Sequence, residues 1–193
     1  MESNPHLNPP PERGRKNVEV LISAVEIAGR TAAMAEEIAG KLPPDLLIVA
    51  LLRGSFVFVA DLIRALHVAG AKSNMRPQIE FLTLASYGSG TTTSGEVKIV
   101  RDLSEDVEGR DVLIVDDILE SGGTLHFARE LVRRRKAKSI HIAVLLEKPG
   151  KRRIDITADF TGFIIPDKFV VGYGLDYANY YRELPFIGTV QAI

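Results

Sequence analysis

Short apolar runs recur along the chain at residues 45–52, 78–84, 112–115 and 139–146. A half-buried strand alternates polar with apolar positions, whereas 45–52, 112–115 and 139–146 are apolar at odd and even positions alike. They read as strands buried on both faces, the mark of a parallel sheet covered by helices. Residues 18–22, 78–84 and 96–100 add further strands. Between them lie segments of helical spacing. Ser23, with Glu26 three residues later, makes a capping box at the head of an Ala-rich helix that runs to about Ala39. Gly40 and Pro43-Pro44 stop it. Residues 56–67 and 126–136 are the other predicted helices. The repeated order of strand, turn, helix and strand predicts an α/β fold with a central, mainly parallel sheet flanked by helices.

Both ends of the chain differ from this pattern. Residues 1–17 carry Pro5, Pro9, Pro10 and Pro11 and no apolar run, so a disordered tail is expected there. From Lys148 onward Gly, Pro and aromatics become denser. Short strands and loops are predicted, folding back as a small hood made mainly of about 148–193 with part of the N-terminal segment. Residues 18–193 are thus read as one domain. Residues 88–95 form a Gly/Ser/Thr-rich loop with no period.

Composition then narrows the partners. Lys and Arg number 24 against 25 Asp and Glu, a net charge of -1. That balance weighs against a nucleic-acid binder, whose domain would carry a basic excess. Any polyanion must meet a local site. Cysteine is absent, which removes disulfides, thiol nucleophiles and Cys-ligated zinc, and agrees with a reducing cytoplasm. His67, His126 and His141 show no zinc-binding spacing and are assigned packing or surface roles. The apolar runs fall far short of the roughly 20 residues needed to cross a bilayer, and the tail lacks the apolar core of a signal peptide. The expectation is a cytoplasmic protein without membrane or nucleic-acid partners.

Candidate chemistry concentrates in Val112-Leu113-Ile114-Val115-Asp116-Asp117-Ile118-Leu119-Glu120-Ser121-Gly122-Gly123-Thr124-Leu125. An apolar strand is expected to end at two carboxylates, with a turn of small residues opening a helix behind them. Ligands of open α/β sheets gather at the carboxyl ends of strands, and a helix N-terminus there offers N–H groups and partial positive charge to a phosphate. Gly122 and Gly123 let the backbone approach closely, while Ser121 and Thr124 add hydroxyls. Taken alone, such a turn is often only a helix cap, and an Asp pair only a solvated strand end. Three acids and the turn beside one apolar strand favour a site. The segment is neither a Walker A loop nor a G-x-G-x-x-G fingerprint.

This stretch resembles the phosphoribosyl pyrophosphate (PRPP) signature of type I phosphoribosyltransferases. Leu51-Leu52-Arg53-Gly54-Ser55, Ser86-Tyr87-Gly88, Leu146-Glu147-Lys148-Pro149 and Ile165-Pro166-Asp167-Lys168-Phe169-Val170-Val171-Gly172-Tyr173-Gly174-Leu175-Asp176-Tyr177 narrow the likeness to the hypoxanthine-guanine phosphoribosyltransferase family. It covers about residues 18–190 with motif order and spacing preserved. The resemblance implies the type I phosphoribosyltransferase fold with a small hood, and Mg²⁺-dependent transfer of phosphoribose from PRPP to a 6-oxopurine base.

It also implies roles. Glu120, Ser121, Gly122, Gly123 and Thr124 would hold the 5-phosphate. Asp116 and Asp117 would meet the ribose hydroxyls directly or through Mg²⁺, and Asp176 would bind a second Mg²⁺. Leu52, Arg53 and Gly54 form the pyrophosphate loop, with Arg182 on the same oxygens and a non-proline cis bond left open. Lys148 would donate to the purine O6, Phe169 would stack on the base, and the Val170 main chain would read its edge. Ser86 and Tyr87 begin a closing lid. Glu120 stands where the family usually has an aspartate as general base, one methylene longer than the pattern. A homodimer or homotetramer is the family's common assembly. The competing readings are a non-catalytic sensor of PRPP or nucleotide on the same fold, and an enzyme specific for xanthine or a pyrimidine.

Overall fold

The structure, a computed structural model, describes residues 18–71, 74–87 and 96–190. The expected tail at 1–17 and the glycine-rich stretch at 88–95 lie outside the described residues.

Chain order begins with strand β1 (Val18–Ile22), helix α1 (Ala24–Lys41), β2 (Leu47–Leu52), α2 (Phe56–Ala69), β3 (Gln78–Tyr87) and β4 (Glu96–Arg101). It continues with β5 (Asp111–Leu119), α3 (Gly123–Arg134), β6 (Ser139–Glu147), a 3-10 turn at Pro149–Lys151, β7 (Phe160–Ile164), β8 (Val170–Val171) and β9 (Ile187–Val190). The capping box forms as expected: the Glu26 amide donates to Ser23 Oγ, and the Glu26 carboxylate accepts from the Ser23 amide.

Six strands make one sheet in the order β4-β3-β2-β5-β6-β7. Every neighbouring pair is parallel except β3 with β4. Helices cover both faces, which explains the unbroken apolar runs. Ile48, Ala50, Leu113 and Val115 face α1 and α2 residues such as Ile27, Met34, Phe58 and Leu62. Leu47, Val49, Val112 and Ile114 face Leu125, Ala128 and Val132 of α3. A second sheet, β1-β9-β8, is antiparallel throughout, and its Ile22, Val170 and Ile187 join the α1/α2 side of the core. Phe160–Ile164, within the stretch read as hood, pairs in parallel with β6 as the edge of the large sheet. The small sheet therefore draws only on β8, β9 and β1.

Strand order positions the site. From β2 the chain crosses through α2 on one face to β3, and from β5 through α3 on the other face to β6. The carboxyl ends of β2 and β5 therefore diverge into opposite layers, and the crevice between them is where open α/β sheets take ligands.

Candidate active site

Strand β5 does not end at the acid pair, as the sequence pattern suggests, but runs through it to Leu119, with Asp116 opposite Val144 and Ile118 opposite Leu146. Backbone pairing with β6 continues because β6 is equally long, a fact that hydropathy cannot reveal. The consequence is geometric. Successive strand residues point to opposite faces, so Asp116 follows Val112 and Ile114 toward α3, and Asp117 follows Leu113 and Val115 toward the other face. Two adjacent carboxylates thereby line two different hollows.

The smaller hollow, about 180 Å³, is lined by Asp116, Glu120, Ser121, Gly122 and Thr124 with Ile118, Leu119 and Leu125. Helix α3 begins at Gly123, earlier than the expected 126, so Thr124 sits in its first turn. No side chain caps this helix; its N-cap is Gly122, at φ 88°. That left-handed backbone favours glycine. A Cβ at Gly122 would also lie 2.7 Å from the Ile156 side chain. The Ser121 carbonyl accepts from the Arg153 and Ile154 amides at 3.0 and 3.2 Å, pinning the turn to the following segment. The Gly123 amide donates weakly to Ser121 Oγ at 3.4 Å. An uncapped N-terminus with two hydroxyls beside it is a cradle for an anion.

The larger cleft, about 340 Å³, holds Arg53, Gly54, Asp117, Glu120, Lys148, Phe169, Val170, Asp176 and Arg182, with Ile118 and Leu175. Arg53 and Gly54 follow β2 across a cis Leu52-Arg53 peptide bond, and Ser55 Oγ donates to the Leu51 carbonyl at 2.5 Å. Gly54 lies against the acid: a Cβ there would fall 1.5 Å from Asp117 Oδ2. Gly174, at φ 100°, abuts the Gly54 carbonyl from the opposite wall, where a Cβ would come within 2.2 Å. Glycine at both positions lets the two loops and the Asp117 carboxylate meet.

On that wall two consecutive tight turns, each closed by reciprocal amide–carbonyl bonds, bracket Asp176. Gly172 pairs with Leu175 and Tyr177 with Tyr180. The central residues are all left-handed: Tyr173, Gly174, Ala178 and Asn179. Asp176 Oδ2 accepts the Asn179 amide at 2.7 Å, and its Oδ1 meets Arg182 at 2.6 Å. Arg182 also donates to the Gly174 carbonyl at 2.5 Å. Tyr173 anchors the wall to α2 by donating to Asp61 Oδ2 at 2.5 Å. At the other end Lys148 is buried, 6% exposed, with its ammonium 3.7 Å from Glu120 Oε1. Phe169 stands 56% exposed, and the buried Val170 begins β8.

Burial dominates the electrostatics. It pushes the Asp116 carboxyl well above the ordinary carboxylate range, and the charge of Asp117 pushes the same way. Asp117 is also raised by burial, against the pull of a hydrogen bond from its neighbour and of the Arg182 charge. Asp116 Oδ1 accepts the Asp117 amide at 2.9 Å. Asp116 is buried and Asp117 half-buried, and a buried carboxylate with no ion pair, as Asp116 is among the described residues, is destabilising.

Of the residues singled out from sequence, Gly123 begins α3, while Leu52 contributes its peptide bond rather than a lining side chain. Ser86 and Tyr87 end β3, paired with Val97 and Glu96, and the loop beyond them lies outside the described residues. Sequence reasoning missed Ile118 and Leu175, which line the cleft between the polar groups. It also missed the close approach of Gly174 to the Gly54 carbonyl, whose signal was a Gly-x-Gly pair ahead of an acid in an aromatic-rich turn.

Comparison with known proteins agrees with this geometry. A profile described as "Phosphoribosyl transferase domain" matches residues 22–178, a stretch that includes both acids of β5. The chain belongs to the phosphoribosyltransferase family. Hypoxanthine phosphoribosyltransferase of Escherichia coli K12 is 46% identical over 179 residues, covering 91% of this chain and 97% of that protein. Hypoxanthine-guanine phosphoribosyltransferase of Bacillus subtilis is 47% identical over 174 residues, covering 90% and 93%. A crystal structure of a hypoxanthine phosphoribosyltransferase from Staphylococcus aureus, 41% identical, superposes with a TM-score of 0.82 over 90% of this chain and 91% of that one. The expected α/β phosphoribosyltransferase fold and enzyme class hold. Among the described residues no helix is long and apolar enough to cross a membrane.

Proposed function

We propose that this phosphoribosyltransferase acts in purine salvage, transferring the 5-phosphoribosyl group of PRPP to hypoxanthine, guanine or both, giving IMP or GMP and pyrophosphate. The observation that carries the proposal is the division of the crevice. An uncapped helix start with hydroxyls lies on one side of Glu120, and a cleft with a buried lysine and an open phenyl ring lies on the other. In this reading Ser121, Gly122, Gly123 and Thr124 hold the 5-phosphate, and Asp116 and Asp117 the ribose hydroxyls. Lys148, a donor with no acceptor, suits the purine O6. Phe169 stacks on the ring, and the Val170 main chain reads its edge. Leu52, Arg53, Gly54 and Arg182 receive the pyrophosphate, the guanidinium fork matching its oxygens. Ser86 and Tyr87 lead into a closing lid that would keep water from PRPP.

The donor set fits Mg²⁺. Among the described residues no three acids or histidines converge on one point, but Mg²⁺ commonly takes only one or two carboxylates beside substrate oxygens. Asp117 and Asp176 line the same cleft, and Asp116 lies one residue away. The raised carboxyls of the β5 pair are what a nearby dication would offset. When bound, Mg²⁺ would neutralise the charge building on pyrophosphate. The chain's own part is to orient. Base nitrogen attacks C1 of the ribose as the C1–pyrophosphate bond breaks, through an oxocarbenium-like state. Arg53 and Arg182 face the leaving oxygens, and Glu120 takes the purine N7 proton.

A cytoplasmic homodimer or homotetramer is the expected form. The test of function is a spectrophotometric assay of hypoxanthine, guanine and xanthine with PRPP and Mg²⁺. Turnover of hypoxanthine or guanine that chelation with EDTA abolishes is the expected result. No turnover with any base would leave the non-catalytic sensor standing, and turnover of xanthine alone would correct the substrate.

A further inference from the structure

Phe169 is the stacking platform proposed above. It lies just before the two-residue strand β8 and keeps 56% of its surface exposed, although it lines the cleft. An exposed ring with free rotation about its side-chain bonds makes a poor platform, because a base that stacks on it must first fix it. Among the described residues one ring touches it. Tyr177 meets Phe169 in a T-shaped contact, with centroids 5.7 Å apart and planes at 84°. Such a contact covers at most one face of a ring, so it fixes Phe169 while leaving a face to the cleft.

The Tyr177 backbone is fixed, and its ring, 38% exposed, is the better covered of the two. Tyr177 opens the tight turn whose left-handed Ala178 and Asn179 are closed by Tyr177–Tyr180 bonds of 3.1 and 3.0 Å. The preceding Asp176 is tied to both the Asn179 amide and Arg182. The contact thus ties the Phe169 ring to a residue whose backbone this turn fixes.

We infer that Tyr177 is the positioning residue of the base platform: its ring, not its hydroxyl, holds Phe169 edge-to-face so that a purine meets a fixed surface. The inference rests on Phe169 being that platform, as proposed above. Aromatic pairs are worth enough to expect a rise of about three- to tenfold in the KM for the base when the contact is lost, without change in the KM for PRPP.

The test is a double-mutant cycle on the full chain, with hypoxanthine and PRPP as substrates and thermal unfolding as the control. Tyr177→Phe should behave like the parent, because it keeps the ring. Tyr177→Ala should raise the KM for hypoxanthine alone, at an unchanged melting temperature. Added to Phe169→Ala, it should have no further effect, since a residue acting through another has nothing left to act on. Additive effects, equal losses in the Phe and Ala variants, a KM for PRPP that rises in step, or no change at all in Tyr177→Ala would each overturn the inference. If Phe169→Ala itself leaves the KM for hypoxanthine unmoved, the base-platform reading falls and takes the inference with it. An intact Phe169 effect beside a silent Tyr177→Ala sinks the inference alone.

Discussion

Asp116 and Glu120 are neighbours in one hollow but answer to different forces. Asp116 is 7% exposed, and burial with the nearby Asp117 charge raises its carboxyl. A raised folded-state value means that the native protein holds its proton over a pH range in which the unfolded chain has lost it. Stability from this group therefore falls as pH rises through that range, from the ordinary carboxylate value of 3.8 upward. Asp116→Asn removes the charge and should raise the melting temperature at pH 7 by about 2–4 °C, the shift given by ~1 kcal/mol in a domain of this size. The gain should shrink as pH is lowered toward 4, while the KM for PRPP rises. Calorimetry across pH beside steady-state kinetics checks both; a variant less stable at pH 7 would contradict the burial argument. Glu120, half-buried and lining both hollows, is the proposed proton acceptor. Glu120→Ala should lower turnover by about 10²-fold, the lower end of general-base contributions, and change the KM for PRPP much less. Unaltered turnover removes the role.

At the scale of elements, the crevice exists because β2 and β5 lie side by side and send their connections to opposite faces. Its narrowest point is where Gly54, Asp117 and Gly174 meet. Gly54→Ala would drive a methyl group to 1.5 Å from Asp117 Oδ2, and the acid or the loop must move. Overpacking of this kind costs about 1–3 kcal/mol, and here it displaces two groups assigned to PRPP. We expect a stability loss in that range together with at least a tenfold fall in kcat/KM for PRPP. Normal kinetics in this variant would mean that the contact between the loop and Asp117 is incidental. The extension of β5 matters in the same way. Had the strand stopped at Asp116, the two acids would have shared one mouth; continuing, it assigns one to each hollow.

Across the whole molecule, a hollow of about 540 Å³ lined by Ala32, Glu36, Ala65, Val68, Ala69 and Ala71 lies between α1 and α2. Val68 within it is 75% exposed. Apolar surface in one place is a common mark of association, in keeping with the proposed homodimer or homotetramer. Sedimentation equilibrium should give two or four times the 21.2 kDa of the chain, and Val68→Glu should shift the mass toward that of one chain. A single-chain mass for the parent protein would refute the assembly. The regulator alternative would require a surface that binds without turnover. The base-and-PRPP assay separates the two, because a sensor binds and an enzyme consumes.

Sequence by itself determined a mainly parallel sheet between helices and the succession of elements along the chain, because burial on both faces leaves unbroken apolar runs and because caps and breakers act over three or four residues. The capping box at Ser23, the interruption at Arg53-Gly54 and the small-residue turn between the acids of β5 and α3 were all legible on that local basis. Residue roles came from matching motifs, and no single residue type would have supplied them. Tertiary structure alone decided where β5 ends, since pairing with β6 sets its length. It also decided that adjacent acids face opposite hollows, that Phe160–Ile164 joins the large sheet, and that Gly54 and Gly174 meet from loops 120 residues apart. These are consequences of register and close approach between distant segments, and neither leaves a trace in local hydropathy.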